Sequence, residues 1–189
     1  MIEPELLLQG YRLGIFPMAM EDDSIEWFSP DPRAILPLEK FHVPHALRRV
    51  ERKKIFEVKI DNGFSEVIRA CAKRKDTWIN REIIESYQKL HELGHAHSVE
   101  TWSEGELAGG LYGVTIGGAF FGESMFHRVT DASKIALVAL VEHLRARDFA
   151  LLDTQWNTPH LAQFGTTQIP REHYLKLLTR AVELPRKFL

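Results

Sequence analysis

The chain has little of several things that would fix its class early. It holds one cysteine, Cys71, in 189 residues. That excludes an internal disulfide and leads us to expect a reducing compartment, the cytoplasm. No apolar run approaches the ~20 residues that a membrane span needs, so no membrane partner is expected. No basic leader precedes an apolar stretch at Met1-Ile2-Glu3-Pro4-Glu5. Neither sign of charge dominates, with 24 Lys+Arg against 26 Asp+Glu and a formal net charge of −2. A protein that coats polyanions with its whole surface is therefore unlike this one, although a local basic patch is allowed. Repeats and low-complexity tracts are also missing. What remains is 44% hydrophobic and 26% charged, an ordinary globular composition. It is long enough for one domain, or for a small lobe leaning on a larger one.

Local signals divide the chain. Glu5 to Leu13 reads as a helix started by Pro4 and stopped by Gly14. Phe16 to Pro32 reads as irregular, and Arg33 to Leu38 as a short strand. Pro44 to Arg52 reads as a second Pro-started helix, Ile55 to Ile60 as a strand, and Phe64 to Lys73 and Arg81 to Leu93 as helices. From His97 the pattern turns β-like: His97–Trp102, Leu107–Ile116 and Ala119–Phe126 are joined by tight turn signals. Asp131 to Arg147 is the longest helix, with Asp131 or Ser133 as a cap. A buried strand over Phe149–Gln155 and a helix over Arg171–Val182 complete the order. The class expected is α+β, with a small N-terminal α/β lobe (1–60) packed on a larger catalytic lobe (61–189).

Several strings invite a chemical reading. His91-Glu92-Leu93-Gly94-His95 has the H-E-x-x-H spacing of zinc hydrolases. That chemistry needs both histidines on one face of an unbroken helix, whereas Gly94 stands where a helix ends. No metal site is expected. The glycines of Ala108 to Gly113 lack the Gly-Lys-Ser/Thr of a phosphate loop and mark a bend or a close approach of ligand or backbone. Glu123 lies inside the apolar run Phe121–Phe126, where a carboxylate must be paired, protonated or facing a cavity. Asp153 and Gln155 interrupt a second apolar strand, two residues apart and so on one face. The two strands together suggest either a shared site or a structural polar network. Leu137, Leu140 and Leu144 form a stripe at i, i+3 and i+7, which alone reads as core. Arg48, Arg49, Arg52, Lys53 and Lys54 form a basic run, either a solvated face or a phosphate-binding one. Trp27, Phe28 and Trp78 fall in loop-like contexts where nucleobases could stack.

Taken in order, these strings resemble one family. Gly14-Ile15-Phe16-Pro17-Met18, Trp27 to Arg33, Thr77-Trp78-Ile79, Leu90 to Ser98, Gly122 to Phe126 and Leu152 to Gln155 resemble leucyl/phenylalanyl-tRNA–protein transferase. The match covers nearly the whole chain. Members lengthen the N-terminus and some carry tryptophan where this chain has Met18. The resemblance implies transfer of leucine or phenylalanine, with some methionine, from aminoacyl-tRNA to proteins beginning with Arg or Lys. That step marks them for degradation by the N-end rule. It also implies an acetyltransferase (GNAT)-like C-terminal lobe. By the same resemblance Asp153 and Gln155 match the catalytic pair and Glu123 a site glutamate. Trp78 matches an aromatic associated with the terminal adenosine. Leu111, Met125, Leu137, Leu140 and Leu144 fall at positions resembling the apolar amino-acid pocket, and the run Arg48 to Lys54 becomes the candidate for acceptor-stem phosphates.

An aminoacyl ester is already activated, so the reaction implies no cofactor, ATP or metal. The enzyme must supply alignment, proton removal and oxyanion stabilisation. Gln155 is expected to hold the attacking amine, with Asp153 or a substrate hydroxyl taking the proton and Glu123 available to seat the acceptor's cationic side chain. Two rivals stand beside this reading. A coenzyme A-dependent N-acetyltransferase needs a pyrophosphate cradle, where this chain has Arg128 to Ser133 with the carboxylate Asp131 inside it. A non-catalytic RNA-binding module would need the aromatics and the basic run, but not Asp153, Gln155 and Glu123.

Overall fold

The computed structural model describes residues 1–74 and 77–189. Two sheets and seven α-helices are present among them. Helix α1 (Pro4–Arg12) begins on its proline and is released by Gly14 at φ +76°, as that residue pair predicts. A hairpin follows, β1 (Phe16–Ala19) and β2 (Ile25–Phe28), paired antiparallel with Phe16 opposite Phe28. The sequence gives no alternation for such short strands and by itself predicts an irregular stretch here. The hairpin is held by packing instead. A Cβ on Gly10 of α1 would lie 2.3 Å from the Trp27 ring, so the missing side chain is what lets the indole close on the helix.

The larger sheet has seven strands in the order β4-β5-β6-β7-β8-β3-β9. They are β3 (Arg33–Ile35), β4 (Glu57–Ile60), β5 (Ala96–Ser103), β6 (Glu106–Ile116), β7 (Ala119–His127), β8 (Leu151–Gln155) and β9 (Thr167–Ile169). All neighbours are antiparallel except β7 and β8, which run parallel. The α+β class expected from the sequence is the one adopted. The division expected at residue 60 crosses this sheet, because β3 and β4, both from 1–60, are built into it.

Alternation within β6 sends successive residues to opposite faces. Tyr112 and Val114 join a core with α1, α3 (Phe64–Ala72), α4 (Arg81–Glu92) and α7 (Arg171–Val182). Leu111 joins a second core with α2 (His45–Arg52) and α5 (Ala132–Ala146). The glycine-dense strand serves backbone approach: a Cβ on Gly109 would meet Ala132 at 2.7 Å, and one on Gly113 the Phe121 carbonyl oxygen at 2.3 Å. Asp131 stands at the N-cap of α5 without capping it. Its φ is +68° and its carboxylate turns to Lys134 at 2.7 Å. The His91–His95 string straddles a helix end: α4 stops at Glu92, Gly94 takes φ +79°, and His91 Nδ1 meets the Ala96 carbonyl at 2.8 Å. A last short helix, α6 (Pro159–Ala162), is capped by the Thr158 hydroxyl, which accepts from the Leu161 N–H at 3.2 Å.

Candidate active site

The site begins where two strands part. Parallel pairing of β7 with β8 covers only Ala119–Phe121 against Leu151–Asp153. Beyond it β7 continues beside β6, while β8 turns toward β3. A cavity of about 750 Å³ occupies the gap. One wall is apolar, built from Leu111, Met125, Leu137, Leu140 and Leu152. Glu123, Thr154 and Gln155 line it where the strands diverge, and Trp78 lines it after α3.

The turn of β8 depends on Gln155, a non-glycine residue at φ +63°. Such a conformation is unfavourable for an L-residue and persists only when surroundings enforce it. Here Asp153 Oδ1 accepts the Gln155 backbone N–H at 2.8 Å, and the Gln155 side-chain Nε2 donates to Glu123 Oε1 at 2.9 Å. With the amide nitrogen committed to Glu123, the amide oxygen is left as the acceptor. Glu123 also hydrogen-bonds the Tyr11 (2.8 Å) and Tyr87 (3.3 Å) hydroxyls, which contact each other, so the three groups share their protons around a closed ring. Burial pushes its carboxyl up to about 8, against the opposing effect of the Tyr11 hydroxyl. Burial likewise raises both tyrosines well above their ordinary value.

Asp153 does not line the cavity. It is fully buried, and Arg33 grips both of its oxygens, Nε to Oδ1 at 3.0 Å and Nη2 to Oδ2 at 2.7 Å. The Tyr174 hydroxyl donates to Oδ2 at 2.7 Å. The Arg33 guanidinium lies between the Phe16 and Tyr174 rings, 4.8 and 4.5 Å from their centroids. With the Gln155 N–H, every bonding direction of the carboxylate is used. The alternation rule put Asp153 and Gln155 on one face; the positive φ at Gln155 breaks that repeat, so only Gln155 turns to the cavity.

The other expected positions divide. Trp78, Leu111, Met125, Leu137 and Leu140 meet at the cavity. Leu144, one turn beyond Leu140 on α5, is fully buried in the core and outside it. Arg48, Arg49, Arg52, Lys53 and Lys54 are exposed on and just after α2, which seats itself through Leu47 and is not part of the cavity. Trp27 and Phe28 belong to the hairpin and do not line it. Arg33, Tyr11, Tyr87 and Tyr174 escaped the sequence reading. Arg33 closes the string Trp27 to Arg33 and is a cation opening the apolar run Ala34-Ile35-Leu36, but neither signal gives it a role; the tyrosines have no signal, since they come from three separate helices. Among the described residues, Tyr112 Oη, Thr154 Oγ1 and His160 Nε2 line the cavity buried and without a protein partner.

Comparison with known proteins puts a chain with this fold and cavity among the aminoacyltransferases. The leucyl/phenylalanyl-tRNA protein transferase family matches residues 35–179, and its N-terminal domain matches residues 1–31. A leucyl/phenylalanyl-tRNA–protein transferase of Akkermansia muciniphila is 57% identical over 96% of this chain and 97% of its own. Those of Herpetosiphon aurantiacus (54%; 99% and 98%) and Salinibacter ruber (55%; 97% and 81%) are similar. The chain belongs to the leucyl/phenylalanyl-tRNA protein transferase family. Among solved structures, L-PGS from Bacillus licheniformis aligns at a TM-score of 0.46 with 16% identity, over 85% of this chain and 55% of its own.

Proposed function

We propose that the protein transfers leucine or phenylalanine, and some methionine, from the 3′ aminoacyl-adenosine end of a tRNA to the α-amino group of cytoplasmic proteins that begin with Arg or Lys, which directs them to the N-end rule. One observation carries the reading: one cavity joins an apolar wall to an amide held in a fixed orientation by Glu123.

The aminoacyl side chain lies along Leu111, Met125, Leu137 and Leu140, and the adenosine lies toward Trp78. The neutral amine attacks the ester carbonyl, the C–N bond forms, and the bond to the ribose oxygen breaks. The proton lost by nitrogen equals the one gained by that oxygen, so the site needs a carrier and no net base. Gln155 receives the amine N–H on its free amide oxygen and aligns it; a neutral amide is too weak a base to keep the proton. Asp153 is a positioning residue, holding the Gln155 backbone from behind. Glu123, pushed up to about 8 by burial, matches an α-amine near ~8 and carries the proton between them.

The test is transfer of radiolabelled leucine from leucyl-tRNA to an Arg-initiated protein, repeated with phenylalanyl- and methionyl-tRNA. Labelling that requires the Arg or Lys terminus is expected. No transfer from any of the three donors would overturn the reading, and acetylation from acetyl-coenzyme A would install its rival.

A further inference from the structure

The proposed transfer occupies the interior of the cavity and leaves its mouth unassigned. Lys73, Arg74 and Arg128 are exposed there, in a chain whose net charge is −2. Among the described residues lining the cavity, the only carboxylate is Glu123, which is buried. The two arginines are held by neutral partners. Arg74 donates to the Ser124 hydroxyl at 2.9 Å, and Arg128 donates to the Leu107 carbonyl at 3.1 Å with its guanidinium 5.6 Å from the Phe126 ring centroid. Among the described residues, no carboxylate pairs with either guanidinium.

Trp156 completes the mouth. It follows Gln155 directly, lines the cavity and is 39% exposed. Its ring meets Phe16 edge-on at 5.1 Å and Phe28 at 6.4 Å, contacts that orient the indole while much of it stays in water. A braced, exposed aromatic and exposed cations lining one cavity are what single-stranded nucleic acid uses: a base stacks on the ring and the phosphates meet the cations. An acidic peptide would meet the cations and have no use for the indole.

We propose that Trp156, Arg74 and Arg128 form the seat of the single-stranded RNA leading into the cavity, with a nucleobase on the indole and backbone phosphates on the two guanidinium groups. The seat rests on the transfer reading for its donor, and is distinct from Trp78 and from the basic run on α2.

Two donors separate its effects: leucyl-tRNA, and leucyl-adenosine, which carries no phosphate. For R74Q/R128Q the KM for leucyl-tRNA is expected to rise about ten-fold with kcat within two-fold. The slope of log affinity against log salt should shrink by about 1.4, two single-strand contacts, while leucyl-adenosine kinetics stay unchanged. W156A should raise the leucyl-tRNA KM by about ten-fold, within the range for one stacked base, and W156F should restore most of it. Melting curves establish that each variant is folded. Unchanged leucyl-tRNA KM in these variants, equal losses with leucyl-adenosine, or a KM rise confined to the acceptor protein would each overturn the seat. Binding of deacylated tRNA separates the two levels. If the wild type binds it through these residues yet transfers nothing, the transfer reading falls and the seat stands.

Discussion

Arg33 and Asp153 meet in a two-bond ion pair from which solvent is excluded, with side chains 1% and 0% exposed. The pair ties β3 to β8, 120 residues apart, and through Oδ1 it also holds the backbone of Gln155. Removing one partner leaves an uncompensated buried charge, at about 3–5 kcal/mol. Arg33→Met is therefore expected to lower the urea midpoint severely, and Arg33→Met/Asp153→Leu to recover much of the loss. A single variant with a wild-type midpoint would refute the account.

Gln155 combines strain with chemistry. Gln155→Gly relieves the positive φ and should be more stable than Gln155→Ala by about 1 kcal/mol, as read by thermal melts. Both should lose transfer by about 100-fold or more, because neither carries the amide. Equal stability would remove the strain argument, and retained transfer would remove the amide's role.

Glu123 makes stability depend on pH. Its folded value, about 8, stands above the ordinary 4.5, so between those limits the folded protein binds more protons than the unfolded one. Stability contributed by the neutral carboxyl is thus present in full below about 4.5 and is lost as pH rises through about 8. Glu123→Gln should flatten the fall of melting temperature from pH 5 to pH 8 and should slow transfer. An unchanged pH slope would count against a neutral, buried carboxyl.

Helix α5 offers an internal comparison. Leu140 lines the cavity and Leu144 does not. Leu140→Ala enlarges the side-chain space and should shift preference from leucyl- toward phenylalanyl-tRNA by about ten-fold, within the ~1–3 kcal/mol such contacts carry. Leu144→Ala should cost about 2–5 kcal/mol of stability and leave the preference alone. A selectivity change of the same size in both would contradict the assignment.

The basic run on α2 makes an ionic prediction. Arg48→Gln/Arg52→Gln should weaken tRNA binding and lower its salt dependence by about 1.4–1.8 in slope, according to whether single or double strand is contacted. An unchanged slope would return the run to a solvated face.

Much of the fold is legible in local signals. Pro4 and Gly14 bracket α1, and the alternation from His97 to Phe126 yields three long strands whose partners are their sequence neighbours. Glu123 and Gln155 each show as polar groups inside apolar strands, and they lie 2.9 Å apart. The short pieces were opaque, because β1, β2 and β9 have three or four residues each and exist through tertiary pairing. So was everything that depends on distant chain meeting: Arg33 with Asp153, and Tyr11 and Tyr87 with Glu123. The separate role of Leu144 was hidden too, since periodicity places residues on a stripe without showing where the cavity along it ends.

The leucine stripe of α5 has an evolutionary consequence. On the proposed reading, Leu137 and Leu140 of this helix share the side-chain wall with Leu111, Met125 and Leu152 of the strands, while Glu123 and Gln155, the groups placed to make the bond, stand on the two strands that part beneath it. Substitutions on the helix can therefore redirect which amino acid is delivered without disturbing how it is joined. On that reading, this scaffold can change its preference while the reaction stays constant.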